Sequence, residues 1–481
     1  MNLSVEIILN DIANQAFFIA LGFYLITNLQ WYDYRLPRVL FKHHKLSWHI
    51  FLLFIPIGIF VLLSIYESTF LLVIADLIYI FVLILWHKKL DKKLVFTNRV
   101  KVFFIILIVL LGIIFVISFF INIASKLYFI ALIQSNNLSN LYQKILFAIY
   151  KKRAKNKLKS MSDLKIIAIT ASFGKTSIKN FLHQVLEPHF KTQSTPRSVN
   201  TLKGIVQDIN NNLEQNTQIY IAELGARQRR DISKIATFLE HHYAILGEVG
   251  AAHIEYFKTL DNVLKTKLEI IKSPNLKMLI SHYKNPITDL KIKVLNYPNG
   301  LEDESSNLDG IYFKLNGHEY SSKILGHFNI ENLCAVIALA LELGINIDDI
   351  KNSIKNLEPV PHRLQKILAN GKIILDDSFN GNPNGMLNAF ELCAKYNGRK
   401  IIITPGLVES NRELNLQIAS KIDQIFDLVI ITGKLNSNLL SNAISKEKII
   451  LKDKTKLQSI LEQKTRSGDL ILFANDAPNF I

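Results

Sequence analysis

Four apolar stretches within the first 123 residues, at about 12–28, 49–66, 70–86 and 102–123, constrain this chain more than any other feature. Each is near the length of a helix that crosses a hydrocarbon core. Such segments must satisfy their backbone polar groups internally, so helices are expected. The first stretch has neither a basic n-region nor a small-residue cleavage site, which argues against a signal peptide. Segments 29–47 (Arg35, Arg38, Lys42, Lys45) and 87–101 (Lys88, Lys89, Lys92, Lys93, Arg99, Lys101) are basic, which predicts that both loops are cytoplasmic. The start of the chain, with Glu6 and Asp11, and the turn Glu67-Ser68-Thr69 are expected outside. Four crossings would then leave the remainder outside, yet Lys151-Lys152-Arg153-Ala154-Lys155-Asn156-Lys157 is strongly basic and expected inside. A fifth, partly polar or re-entrant segment between Ala124 and Tyr150 reconciles the two. The run 151–159 then reads as a juxtamembrane linker near anionic lipid, or as a solvated charge run. Asp76, inside the third stretch, is a functional candidate as an intramembrane acid.

From Lys165 onward the pattern changes to short β-branched runs alternating with helical periodicity. Strands are expected at 219–222, 243–246, 277–280, 372–375, 400–403, 428–431, 448–451 and 470–473, with helices notably at 329–343 and 383–396. This alternation predicts α/β architecture with largely parallel sheets. The polar stretch 284–322 reads as an inserted hairpin region, and Pro359 and Pro361 mark a boundary. The expected organisation is a transmembrane helical domain with its basic linker (1–160), a P-loop central parallel-sheet ATPase domain (161–357) and a C-terminal Rossmann-like α/β domain (358–481). Basic side chains exceed acidic ones, 56 to 40. That excess clusters around the apolar segments without an aromatic-interleaved surface, which argues against nucleic acid as a partner. Cys334 and Cys393 lie in apolar helical patterns and read as reduced core residues.

The stretch Lys165–Lys179, KIIAITASFGKTSIK, reads as strand, phosphate loop and helix. The turn Ser172-Phe173-Gly174-Lys175-Thr176-Ser177 aims backbone N–H groups and a helix N-terminus at an anion. Lys175 can reach terminal phosphates and the Thr176 hydroxyl can ligate Mg²⁺. The eight-residue pattern is incomplete, because Ile169 stands where a glycine is required, and an ordinary strand-to-helix turn is the alternative. Glu223, at the end of the 219–222 strand, and His253, past the 243–246 strand, fall where α/β sheets bind ligands. A carboxylate and an imidazole there suit a metal near phosphates. Lys267, on an amphipathic helix, reads by itself as a solvated lysine.

In order, the GKT, Glu223-Leu224-Gly225-Ala226, Ala252-His253-Ile254-Glu255 and Thr266-Lys267-Leu268-Glu269-Ile270 segments resemble the ATP-dependent Mur ligases of peptidoglycan synthesis. Ser194–Gly204 resembles the loop after that family's first helix, and Leu325–Asn332 its G-x-H-N-x-x-N segment. His362-Arg363, followed by Asp376-Asp377-Ser378-Phe379-Asn380-Gly381-Asn382-Pro383, resembles the D-D-S-Y-N-A-N-P signature of the branch that adds D-alanyl-D-alanine. The resemblance covers about 162–481. It implies an ATP-dependent amide ligase, of the acid–amino-acid class forming ADP and phosphate, that joins D-alanyl-D-alanine to UDP-N-acetylmuramoyl-tripeptide. It also implies ATP and two Mg²⁺ ions as cofactors. Lys175 and the loop amides would hold the β/γ-phosphates, and Thr176 and Glu223 one Mg²⁺. His253 and Lys267 would hold the second, Lys267 as an N-carboxylated side chain. Asn329 and Asn332 would lie near the adenine, Arg363 would reach the γ-phosphate, and Asp377 and Asn380 would touch nucleotide or substrate.

The sequence also departs from the family's pattern. Ala171 and Phe173 replace a usual Gly and a frequent Asn or Tyr, and Phe379 and Gly381 replace Tyr and Ala. Ala474-Asn475-Asp476 stands in place of a K-G-S ending, and apolar segments occupy the place of the uridine-binding domain. The expected location is therefore the cytoplasmic membrane, multi-pass, with the catalytic domains inside. Membrane lipid is a partner, and binding substrate, recruiting other cell-wall enzymes and tethering are all open roles for residues 1–160. A Mur-type ligase acting on a lipid-linked or other acidic substrate is the alternative within the class. An ATP-driven transporter is the alternative from another class, but the chain has no L-S-G-G-Q-like segment.

Overall fold

The structure is a computed structural model that describes residues 3–32, 34–41, 45–66, 68–90, 92–118, 126–197, 199–250, 257–287, 290–379, 383–408 and 410–476. It divides into two compact units, Met1–Ile149 and Tyr150–Ile481.

The first unit is helical: α1 (Leu3–Trp31), α2 (Leu36–Phe41), α3 (Leu46–His49) running through a π-turn into α4 (Ile55–Ile65), α5 (Thr69–Lys88), α6 (Asn98–Ser118) and the start of α7 (Lys126–Lys159). Among the described residues, four helical segments are long and apolar enough to cross a membrane: Ile8–Trp31, Ser47–Ile65, Thr69–Lys88 and Asn98–Ser118. The expected fifth crossing is not among them. Its stretch opens α7, a single 34-residue helix with polar residues throughout. Within the unit α1 is central, burying Phe17, Phe18, Leu21 and Tyr24, whereas α4, α5 and α6 expose Leu62, Phe70, Leu77, Phe81, Ile105 and Ile108. A helix apolar on its outer face is one that expects a non-aqueous neighbour. The buried polar groups mostly have partners. Asp11 accepts from the Tyr128 hydroxyl at 2.7 Å and from Ser118, and the Tyr24 hydroxyl pairs with His49 at 2.7 Å.

The second unit contains two six-stranded sheets. In the first, β1 (Lys165–Thr170), β2 (Thr192–Ser194), β3 (Ile219–Glu223), β4 (Tyr243–Leu246), β5 (Met278–His282) and β6 (Lys293–Tyr297) run parallel in the order β2-β3-β1-β4-β5-β6. All of β1 but its first residue is buried, as its β-branched composition requires of a strand covered on both faces. Helix α8 (Lys175–Leu186) follows. It buries Ile178, Phe181, Leu182 and Val185, an i, i+3, i+4, i+7 stripe, each burial stabilising by roughly 1.5–3 kcal/mol. Helices α9 (Leu202–Asn211), α10 (Asp231–Leu239) and α11 (Leu260–Lys267) complete the crossovers.

The polar stretch 284–322 resolves into β6, which joins the main sheet, and an antiparallel sheet of β7 (Leu301–Asn307), β8 (Gly310–Leu315) and β9 (His318–Ser322). Helices α12 (Phe328–Glu342) and α13 (Ile347–Lys355) lead to the second six-stranded sheet. There β10 (Gln365–Ala369) pairs antiparallel with β11 (Lys372–Asp377). Parallel pairing then continues through β15 (Leu470–Ala474), β12 (Lys400–Thr404), β13 (Leu428–Thr432) and β14 (Glu447–Leu451).

Within the basic run at the end of α7, Lys151, Lys152, Arg153 and Lys159 are exposed, whereas Lys155 and Lys157 are partly buried. Lys155 Nζ donates to the Phe238 carbonyl at 2.8 Å and pairs with Glu240 at 2.8 Å. Lys157 Nζ donates to the Ile209 carbonyl at 2.9 Å. Both carbonyls lie in last helical turns, of α10 and α9, where cations satisfy orphan acceptors and oppose the helix dipole.

Candidate active site

The chain leaves β1 at the point where the sheet order reverses, so the loop Ala171–Gly174 faces the crevice beyond the carboxyl ends of the strands. Gly174 has φ +76°, and a Cβ there would come 2.5 Å from Asn332 Oδ1. That contact brings Asn332, and Asn329 bonded to it at 2.9 Å, against the phosphate loop. Ala171, the departure from glycine, is accommodated by Gly247 on the next strand end, where a Cβ would lie 2.6 Å from the Ala171 Cβ. Phe173 similarly rests on Gly250, and Ser172 Oγ donates to the Gly250 carbonyl at 3.0 Å. Ser177 is buried in the first turn of α8.

Glu223 is the hub. Its Oε2 accepts from Thr176 Oγ1 at 3.1 Å and lies 3.6 Å from Lys179 Nζ. Its backbone N–H donates to Thr195 Oγ1 at 3.1 Å. Lys179 is 2% exposed and also donates to the Thr195 carbonyl at 2.7 Å. Lys175 Nζ folds back onto the Ala171 and Ser172 carbonyls at 2.7 and 3.1 Å. Burial pushes Lys175 down to about 8; nearby Glu223 opposes that shift and Arg363 adds to it. Lys267, expected by its helix alone to be solvated, is 3% exposed. Burial holds it well below the lysine range, Lys175 lowers it further, and Glu223 works against both. Its neighbour Glu269 accepts from the Arg230 and Ser233 amides at 2.8 and 3.1 Å, tying the Lys267 segment to the N-terminus of α10.

The second sheet delivers Arg363. Burial lowers it from the arginine range; Asp377 and Glu223 oppose that shift, and Arg197 reinforces it. Arg197, from the loop after β2, stacks over the Phe379 ring at 4.0 Å. Asp377 Oδ1 accepts from the Leu364 amide at 3.1 Å, so one of its oxygens holds the loop that carries Arg363. Four basic side chains (Lys175, Lys179, Arg363 and Arg197) and the Lys267 amine thus gather about Glu223 and Asp377, an excess that suits a polyanion. Thr176 Oγ1 and Glu223 Oε2 are oxygen donors already in contact, the hard ligands Mg²⁺ takes beside phosphates. His253 and Asn380 lie outside the described residues.

The structure therefore brings together Lys175, Thr176, Glu223, Lys267 and Arg363. It adds Lys179 and Arg197, to which no role was assigned from sequence. Lys179 could have been found, since its i+4 spacing from Lys175 sets both on one face of α8. Arg197 lies in the Ser194–Gly204 segment singled out from sequence, but its role was not legible there, because its partner ring lies in the second sheet's segment.

Residues 169–340 match the Mur ligase middle domain, and residues 362–475 match the Mur ligase glutamate ligase domain. The UDP-N-acetylmuramoyl-tripeptide–D-alanyl-D-alanine ligase of Bacillus subtilis is 25% identical over 336 residues, covering 64% of this chain and 72% of that protein. The ligases of the same name from Buchnera aphidicola (Acyrthosiphon pisum) and Escherichia coli are 29% and 26% identical, covering 51% and 52% of this chain. The chain spans 58% and 59% of the lengths of those two. Among solved structures, MurF from Thermotoga maritima in complex with ADP has a TM-score of 0.60 at 23% identity, over 69% of this chain and 80% of that one. MurF from Acinetobacter baumannii has a TM-score of 0.61 at 20% identity, over 69% and 77%. At these identities the structural likeness shows a shared fold. With its middle and C-terminal ligase domains matched in order over more than half of 481 residues, the chain belongs to the Mur ligase family.

Proposed function

We propose that this protein is an ATP-dependent ligase that joins D-alanyl-D-alanine to UDP-N-acetylmuramoyl-tripeptide through an acyl phosphate. The observation that carries the reading is the convergence of Lys175, Glu223 and Lys267 from the first sheet with Arg363 from the second. The names of the curated relatives supply the substrates.

The first step sets an anionic carboxylate against an anionic triphosphate. The carboxylate oxygen bonds to the γ-phosphorus as the β–γ bridging bond breaks and ADP leaves. Lys175 and Arg363 offset the charge that spreads over the transferring phosphoryl oxygens. Thr176 and Glu223 would hold Mg²⁺, which would supply further neutralisation of those oxygens. In the second step the dipeptide amine bonds to the acyl carbon, an amine proton is lost and phosphate departs. Water must be kept from the acyl phosphate, and the Arg197–Phe379 stack bridges the loop after β2 and the segment after β11.

Lys267 has the character of a carboxylated lysine. Burial shifts Lys267 toward the neutral amine, the form that adds CO₂, and Lys175 beside it would balance the carbamate. Carboxylation would turn an amine into an oxygen ligand for a second Mg²⁺, together with His253.

We place residues 1–149 in the cytoplasmic membrane, with the catalytic unit inside the cell. The apolar outer faces of α4, α5 and α6 support this. Those helices also favour a second reading, a lipid-linked acceptor in place of the soluble nucleotide. Mass analysis of the product made by detergent-purified protein from the soluble tripeptide and D-alanyl-D-alanine tests the proposal. A pentapeptide is expected, and its absence, with turnover of a lipid-linked acceptor instead, would favour the second reading.

A further inference from the structure

We infer that Asp376 and His362 are positioning residues that set the Arg363 guanidinium in place. The inference rests on the ligase reading for its kinetic readout only.

The turn Val360-Pro361-His362-Arg363 is closed by the Arg363 amide donating to the Val360 carbonyl at 3.1 Å. Proline holds the second position and His362 the third, with φ +62°, as in a type II turn. Glycine or asparagine is the relaxed choice there, and a histidine is strained. Leu364, on the other side of Arg363, is also left-handed, at φ +54°. A residue flanked by two such conformations stays put only if the surroundings over-determine them.

The segment Asp376–Phe379 does so from four directions. The fully buried Asp376 accepts at Oδ2 from His362 Nδ1 at 2.7 Å; a carboxylate only accepts, so the Nδ1 carries the proton. Its Oδ1 is held by Ser378 Oγ at 2.6 Å and the Ser378 amide at 3.1 Å, which fixes the carboxylate plane. Asp377 Oδ1 receives the Leu364 amide at 3.1 Å, and the Phe379 amide donates to the His362 carbonyl at 3.3 Å. The imidazole also packs on the Phe379 ring, 5.1 Å between centroids. The Asp376 side chain is thus joined to the Arg363 turn through His362. The strained imidazole position has a purpose that glycine could not serve.

The test uses full-length protein in detergent: wild type, Asp376→Asn, Arg363→Ala, the double variant and His362→Gly. Phosphate release with ATP, Mg²⁺ and both ligase substrates is measured beside amide hydrogen exchange at Arg363, Leu364 and Phe379. Asp376→Asn should lower kcat by about 100-fold, the cost of misplacing a catalytic group by roughly an ångström, with the KM for ATP little changed. Added to Arg363→Ala it should cost less than about twofold, since residues acting through one group are not additive. Exchange at the three amides should quicken at least about tenfold in Asp376→Asn. His362→Gly relaxes the backbone but removes the imidazole, so it should melt like wild type yet turn over as poorly as Asp376→Asn. Equal losses in both Arg363 backgrounds, wild-type turnover in His362→Gly, or unchanged exchange would each overturn the inference. If Asp376→Asn does not fold, His362→Gly carries the same cycle with Arg363→Ala. A wild type that releases no phosphate with these substrates condemns the ligase reading alone, and the exchange rates then decide the positioning role.

Discussion

Thr176 Oγ1 lies 3.1 Å from Glu223 Oε2, so the first turn of α8 and the carboxyl end of β3 share one carboxylate. The same carboxylate neutralises Lys179, which is almost wholly buried. Glu223 therefore links the stability of the first sheet to the chemistry at its edge, and substitutions at 223 should separate the two.

Glu223→Ala leaves the Lys179 ammonium buried without its counter-charge, and the unfolding free energy should fall by about 3 kcal/mol. Glu223→Gln keeps an acceptor and should lose less stability, while turnover falls by about 100-fold and the Mg²⁺ requirement rises. Denaturation and Mg²⁺ titrations of both variants check this.

Lys267→Ala should lower turnover by at least about 100-fold, and bicarbonate should not restore it. Wild-type protein stripped of CO₂ should lose activity and regain it on adding bicarbonate. Unchanged turnover in Lys267→Ala would contradict the carbamate.

Lys175 is pushed down to about 8 from 10.5, chiefly by burial. Below pH 8 it keeps its charge in the free protein; above, ATP must recruit a proton to bind. ATP affinity should therefore fall by up to about tenfold per pH unit above 8, a slope that Lys175→Arg removes. Between about 8 and 10.5 the unfolded chain binds more protons than the folded one, so this group's contribution to stability rises with pH there. Binding calorimetry and denaturation across that range check both signs.

Lys155 and Lys157 each satisfy a helix C-terminus, so Lys155→Ala and Lys157→Ala should each cost about 1 kcal/mol. Activity per folded molecule should be unchanged. Denaturant titration of the two variants measures the loss.

The α/β class, nine of the twelve strands in the two large sheets and the strand–loop–helix at 165–179 were legible because hydrophobic period and turn chemistry are local, whereas the edge strands β2, β6 and β10 were not expected. The burial of Lys267 was not: its helix is amphipathic, and only Lys175 and Glu223, some distance away in the chain, show which side faces inward. The partners of Lys155 and Lys157 were not legible for the same reason, since the carbonyls they cap belong to α9 and α10. The fifth segment was expected to be partly polar, and Gln134, Ser135, Asn136 and Asn137 interrupt its apolar run within α7, so it falls short of the other four in apolar length. The Asp376–His362 pair was within reach of the motif residues, but the left-handed turn that gives it meaning appears only in the backbone.

The proposed reaction couples ATP cleavage to two substrates. It is tested most directly by phosphate release from detergent-purified full-length protein with ATP, Mg²⁺, UDP-N-acetylmuramoyl-tripeptide and D-alanyl-D-alanine, leaving out each in turn. Release should need all four and match the pentapeptide mole for mole. Release that continues at the same rate without either peptide substrate would contradict it.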